Sequence, residues 1–184
     1  GDGLPFQIQF FHRGWIFKDR IRVFVVDGGR ASEVVYSRDL FSFDNTKPPP
    51  PDVNVGFAGF RLHAPINRPD YYDEVGVFLG ASYFRAVAKG QVYGMSARGL
   101  SIKTADPKGE EFPAFTSFWI EKPAKGTNSI VVHALLDSPS AAAAYRFTIR
   151  PGDETIYDTE VALYPRVDIA ESGIGRGTSM FLYA

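Results

Sequence analysis

Pairs of polar and aromatic residues two apart recur through residues 56–121. Tyr83 precedes Arg85, Ser96 precedes Arg98, and Ser117, Trp119 and Glu121 form a third set. On extended chain each set points to one face, because side chains alternate sides along a strand. Guanidinium groups donate hydrogen bonds in a fixed geometry, carboxylates accept them, and aromatic rings offer flat apolar faces. Such a face suits a polar, ring-shaped ligand better than a dry core. The candidate binding residues are therefore Tyr83, Arg85, Ser96, Arg98, Trp119 and Glu121, with Tyr93 as a further ring. Arg85 and Arg98 have an alternative role as structural ion pairs with Glu111 or Glu121, since a mid-strand arginine is seldom buried without a partner.

Other chemistries find less support. His12, His63 and His133 lack the HxH or HExxH spacing of a metal site. Ser82 and Ser96 have no nucleophile elbow of the G-x-S-x-G kind. With no cysteine there is neither a thiolate nucleophile nor a disulfide framework. No metal and no cofactor is expected. The carboxylates open to acid–base work are Asp73, Glu74, Glu110, Glu111, Glu121 and Asp137. Glu110 and Glu111 are adjacent, so on a strand they point apart and cannot form an opposed pair.

The elements that must position these residues read as strands. Phe6, Ile8 and Phe10 alternate with Gln7 and Gln9. An apolar run over 21–26 meets Asp27, Gly28 and Gly29, a turn that predicts a hairpin into 33–36. Four consecutive prolines within 44–54 make a stiff surface loop. Phe60 and Leu62 oppose Arg61 and His63, and Val75, Val77 and Leu79 share a face. Residues 65–73 read as an exposed loop. The short AKGQ turn predicts that the runs around 83–86 and 95–102 pair as a hairpin. Strands follow at 129–136, at Tyr145, Phe147 and Ile149, and over 153–164, with one helical turn predicted around 138–144. The fold class is all-β, an antiparallel sandwich.

Composition bounds the rest. The 184 residues suffice for one domain, and a formal net charge of -1 gives no basic footprint for nucleic acid. No apolar run reaches the roughly 20 residues of a membrane span, and no signal peptide is visible at the start. The closing residues TSMFLYA read as strand without a polar tail. They predict a piece of a longer protein and an apolar sheet edge through which two copies pair as a homodimer.

The segments GFAGFRLHAPINR, FLGASYFRAVAKGQVYGMSARGLSI, KGEEFPAFTSFWIEKP and ALLDSPSAAAAYRFTIRPGDETIYD resemble the N-terminal domain of the periplasmic glucan biosynthesis proteins of the OpgG and OpgD type, also called MdoG and MdoD. The resemblance runs over residues 4–183. It implies residues 1–184 to be part of a glucan-binding β-sandwich of the galactose mutarotase kind, with an immunoglobulin-like domain following. It further implies residence in the periplasm and a β-glucan polysaccharide, the osmoregulated β-1,2-linked glucans, as partner. Members of the OpgD type resemble inverting β-1,2-glucanases, whose acid and base aspartates the resemblance places beyond Ala184, so no catalytic residue is assigned in this chain. The alternatives are a non-catalytic carbohydrate-binding module and a purely structural sandwich.

Overall fold

The structure is a computed structural model that describes residues 3–14, 16–43 and 47–180. Among these residues twelve strands form two six-stranded sheets stacked as a sandwich. They are β1 (Gln7–His12), β2 (Arg22–Asp27), β3 (Arg30–Glu33), β4 (Phe57–Arg68), β5 (Tyr71–Leu79), β6 (Tyr83–Ala86), β7 (Met95–Ile102), β8 (Ala114–Glu121), β9 (Ile130–Asp137), β10 (Ala141–Arg150), β11 (Ile156–Pro165) and β12 (Ser172–Met180). The first sheet runs β1-β4-β5-β6-β7-β12 and the second β11-β10-β9-β8-β2-β3. Among the described residues no helix is long and apolar enough to cross a membrane.

Phenylalanines hold the sheets together. Phe60 on β4 and Phe78 on β5 meet Phe118 on β8 at 5.1 and 5.6 Å between ring centroids, and Phe147 on β10 closes on Phe78 at 5.1 Å. All four rings are fully buried, and their tilted and edge-on contacts are the arrangements that aromatic quadrupoles favour.

The all-β sandwich expected from the alternation is what forms, and five local expectations need correction. The sandwich is not wholly antiparallel, because β2 runs parallel to β8, with Phe24 opposite Trp119. Between the two strands the chain crosses to the first sheet and returns, so β8 enters alongside β2 in the same direction. Residues 65–73 are a hairpin rather than a long loop: β4 runs to Arg68 and β5 starts at Tyr71, with Arg68 opposite Tyr71 and only Pro69 and Asp70 in the turn. Pro65 fits inside β4 because the register slips between Ala64 and Arg68, where its missing N–H costs no ladder bond.

Residues 138–144 are not helical, since Ala141–Arg150 pairs with β9 and β11 on both sides. Alanine's helix propensity, a few tenths of a kcal/mol per residue, yields to ladder bonds on two flanks and full burial of Ala141 and Ala143. Val77 does not share the core face: it lies opposite Arg61 and Arg85, while Phe78 faces Phe60 and a bulge at Leu62/His63 returns Val75 to the core. The link between β6 and β7 is eight residues, 87–94, rather than a tight AKGQ turn.

Other expectations match. Asp27 pairs with Arg30 across Gly28 and Gly29, both at positive φ, as the hairpin signal predicts, although β3 ends at Glu33. The proline run carries no strand. β12 is the edge strand of the first sheet. Of the TSMFLYA segment, Phe181, Leu182, Tyr183 and Ala184 lie outside the described residues, as do Asp44, Asn45 and Thr46 of the proline loop.

Candidate functional site

The predicted pairing of the two central polar sets is present. Tyr83 stands opposite Arg98, and Arg85 opposite Ser96, on neighbouring strands β6 and β7. Phe84, between Tyr83 and Arg85, packs into the core against Phe147 at 5.2 Å, so Tyr83 and Arg85 face outward from the first sheet. The hydroxyls of Tyr83 and Ser96 are hydrogen-bonded at 2.6 Å.

Three arginines on this outer face, Arg61, Arg85 and Arg98, are each tied to a carboxylate and laid on a ring. Arg85 donates to Glu74 and covers Tyr93, with 4.7 Å from its guanidinium to the ring centroid. Arg61 approaches the other oxygen of Glu74 at 2.9 Å and lies 4.6 Å over Phe11. Arg98 donates to Glu110 and lies 5.4 Å over Phe112. These partners replace the Glu111 and Glu121 expected from sequence. Glu111 instead accepts from Ser138 and Ser140, and Glu121 lies 2.7 Å from His133. The register is the reason: Glu74 follows the β5 bulge onto the outer face opposite His63, whereas Glu121 sits on the other sheet.

Burial lowers the proton affinity of the Arg85 guanidinium, but the hydrogen bond and charge of Glu74 outweigh it and leave its pKa raised. Burial likewise raises the Tyr83 phenol. The Tyr93 phenol is lowered by hydrogen bonds to Ser179, Tyr83 and Ser96. Arg85 is also held from beneath. The Tyr157 hydroxyl on β11 crosses the core to donate to the Arg85 carbonyl at 3.1 Å, and Thr155 donates to Val87 at 2.7 Å. Gly76 leaves the space this needs, since a Cβ there would collide with the Tyr157 oxygen.

Three polar atoms of this face are buried with no hydrogen-bond partner among the described residues, Arg85 Nε, His63 Nε2 and Arg61 Nε, the last with only its ionic approach to Glu74. A polar cavity of about 280 Å³ opens beside Arg85, lined by Asn67, Asp73, Glu74, Arg85 and Gln91 among others. Phe112 is 68% exposed next to Arg98, an apolar plane at the edge of a polar surface. Arg61, Glu74, Glu110 and Phe112 were not singled out from sequence as binding residues. The alternation of Arg61 and His63 against buried Phe60 and Leu62 was a signal for the first of these, but the partners across strands required the register.

Trp119 and Glu121 are not part of this constellation. Phe118 and Ile120 turn into the core, so Trp119 and Glu121 face outward from the second sheet. There Trp119 stacks on Phe24 at 5.2 Å with only 10° between the planes. The sequence-predicted set therefore divides between two opposite faces: Tyr83, Arg85, Ser96 and Arg98 on one, Trp119 and Glu121 on the other.

A family model described as "Periplasmic glucan biosynthesis protein, MdoG" matches residues 1–184. Among curated relatives, "Glucans biosynthesis protein G" of Rhodopseudomonas palustris (strain BisA53) is 63% identical over 183 residues, covering 100% of this chain and 36% of the relative. The protein of that name from Bradyrhizobium diazoefficiens is 62% identical over 180 residues, covering 98% and 36%. That from Vibrio cholerae (strain ATCC 39541 / Classical Ogawa 395 / O395) is 53% identical over 184 residues, covering 100% and 34%. The chain thus spans about a third of the length of these relatives.

Proposed function

Since the chain belongs to the MdoG family of periplasmic glucan biosynthesis proteins, we propose that the outer face of its first sheet binds the glucan as one wall of a saccharide cleft in a periplasmic protein. One observation carries the reading: Arg61, Arg85 and Arg98 are each fixed between a carboxylate and an aromatic ring on a single face. Fixed guanidinium and carboxylate groups match the alternating donors and acceptors of sugar hydroxyls, and preorganisation lowers the entropy cost of binding. Phe112 offers a plane to the C–H side of a pyranose. The unpartnered Arg85 Nε is a donor directed at a ligand in this scheme. We assign the glucan to the β-1,2-linked class on the family's resemblance, with Tyr83, Arg85, Ser96 and Arg98 as contact residues and Trp119 and Glu121 as a separate surface.

Calorimetric titration of a β-1,2-linked glucooligosaccharide into the chain tests this. Arg98→Ala is expected to weaken binding roughly tenfold to hundredfold, the worth of about 1.5–3 kcal/mol for a charge-assisted hydrogen bond. Its melting temperature should stay within a few degrees of the parent, because the side chain is about a third exposed. Unchanged affinity with a collapsed melting temperature would make Arg98 structural and defeat the assignment.

The same geometry argues against hydrolysis by residues 1–184 alone. An inverting glycosidase needs an acid and a base roughly 6.5–9.5 Å apart, each free to exchange a proton. Here the candidate carboxylates are engaged: Glu74 by Arg61 and Arg85, Glu110 by Arg98, Glu111 by two serines, Asp73 by the Asn67 N–H, Asp137 by Arg166 and Glu121 by His133. No release of reducing ends from β-1,2-glucan is expected. Release that disappears in Glu121→Gln would overturn this.

A further inference from the structure

The molecule has a second polar cavity that the proposed glucan face does not use. It has a volume of about 360 Å³, within the range of small-molecule sites, and lies where the end of β7 meets the start of β12. Its lining includes Ser101, Lys103, Thr104, Glu171, Gly173 and Arg176. We propose that this cavity binds the acidic group, phosphate or carboxylate, of a small polar ligand.

The first support is the balance of charge. Two cations and one carboxylate line the cavity, and neither Lys103 nor Arg176 is in an ion pair among the described residues. Lys103 acts on Glu111 through its charge without contact; Glu171 is the carboxylate of the lining, and Glu110, paired with Arg98 across the ladder from Arg176, lies nearby. An unpaired guanidinium beside hydroxyls is the side-chain chemistry that takes an oxyanion in a forked, two-point contact.

The second support is independent of charge. Ser101 is 1% exposed, and its Oγ is buried without any hydrogen-bond partner. Native structures rarely leave a buried hydroxyl unpaired, and doing so costs stability. A ligand oxygen in the cavity that Ser101 lines would satisfy it.

The third is shape. Gly173 stands directly opposite Ser101 across the β7–β12 ladder. A Cβ on Gly173 would sit 3.7 Å from the Arg176 Cβ and 3.9 Å from the Ser101 Cβ, in ordinary contact with both. The bare Cα is therefore what keeps the space between the serine and the arginine open, and a larger side chain can fill it without a backbone clash.

Titrations of the 184-residue chain with glucose 6-phosphate, glucuronate and glucose at low ionic strength test the proposal, which does not rest on the glucan reading. At least one of the two anionic sugars is expected to bind at least tenfold more tightly than glucose. Whichever binds more tightly names the acidic group. Arg176→Ala should weaken that binding at least tenfold and Arg176→Lys by less, Glu171→Gln should strengthen it, and Gly173→Val should abolish it. Arg176 and Glu171 are exposed, so these variants should fold. Ser101→Ala gives a readout that a merely structural serine would not: the melting temperature of the free protein should rise while anion affinity falls. Glucose binding as tightly as both anions, or anion affinity unchanged in Arg176→Ala and Gly173→Val, would overturn the proposal.

Discussion

Phe147→Ala is expected to lower the unfolding free energy by about 3–5 kcal/mol, the cost of deleting a buried aromatic ring that leaves a cavity behind. Phe147 is fully buried on β10 and touches rings from both sheets. Phe78 and Phe84 of the first sheet lie 5.1 and 5.2 Å away, and Tyr145 and Phe115 of the second at 5.5 and 6.4 Å. The site has little freedom to collapse, because both of its walls are laddered sheets. Native domains are stable by only about 5–15 kcal/mol, so this single change removes roughly a fifth or more of the total. Urea unfolding checks it: the midpoint should fall with the slope unchanged. Phe84 is the residue between Tyr83 and Arg85, so any variant that survives should also bind glucan less well. A loss below about 1 kcal/mol would mean that the ring is not the packing centre described here.

The second large effect is expected at Glu111. Its carboxylate accepts hydrogen bonds from the Ser138 hydroxyl, from the Ser140 hydroxyl at 2.6 Å and from the Ser140 N–H at 2.9 Å. One side chain ahead of β8 thereby fastens the β9–β10 turn. Burial works to raise its pKa, but the hydrogen bonds from Ser138 and Ser140 together outweigh it and hold the carboxyl below the usual carboxylate range. Glu111→Gln is expected to cost about 2–4 kcal/mol at neutral pH, since hydrogen bonds to a charged group are worth roughly 1.5–3 kcal/mol each and do not add in full. A folded-state pKa below the unfolded value contributes stability that is complete above the unfolded value, near 4.5. That contribution is lost as pH falls through the folded pKa. The gap between parent and variant should therefore shrink on going from pH 7 to pH 3. A gap that stays constant over this range would show that the charge of Glu111 is not what the serines hold.

Much of the fold was legible because local pattern and global packing agree. The alternation at Phe6, Ile8 and Phe10, and at Tyr145, Phe147 and Ile149, specifies which face is buried wherever the strand lies. The Gly28–Gly29 pair supplies the positive φ values that a two-residue hairpin requires. What failed depended on partners distant in sequence. Four alanines in a row look helical until β9 and β11 pair with them on both sides, and the parallel match of β2 to β8 follows from chain crossing.

The candidate site divides in the same way. Tyr83, Arg85, Ser96 and Arg98 were found because β6 and β7 are neighbours in sequence and pair directly. Trp119 and Glu121 share their spacing but belong to the other sheet, and a period of two says which residues share a face without saying which sheet owns it. Glu74 and Glu110 were missed as partners because a bulge in one strand and a loop in the other case decide where each carboxylate lies.

The most direct measurement of the central claim is a map of where the sugar lies, obtained from backbone amide chemical shifts of the labelled chain during titration with a β-1,2-linked glucooligosaccharide. The shifts are predicted to concentrate on residues 61–63, 73–77, 83–85, 93–98 and 110–112, and to leave residues 22–25, 117–121 and 131–135 in place. Shifts confined to the strands around Trp119 and Phe24 would put the glucan on the second sheet and contradict the account.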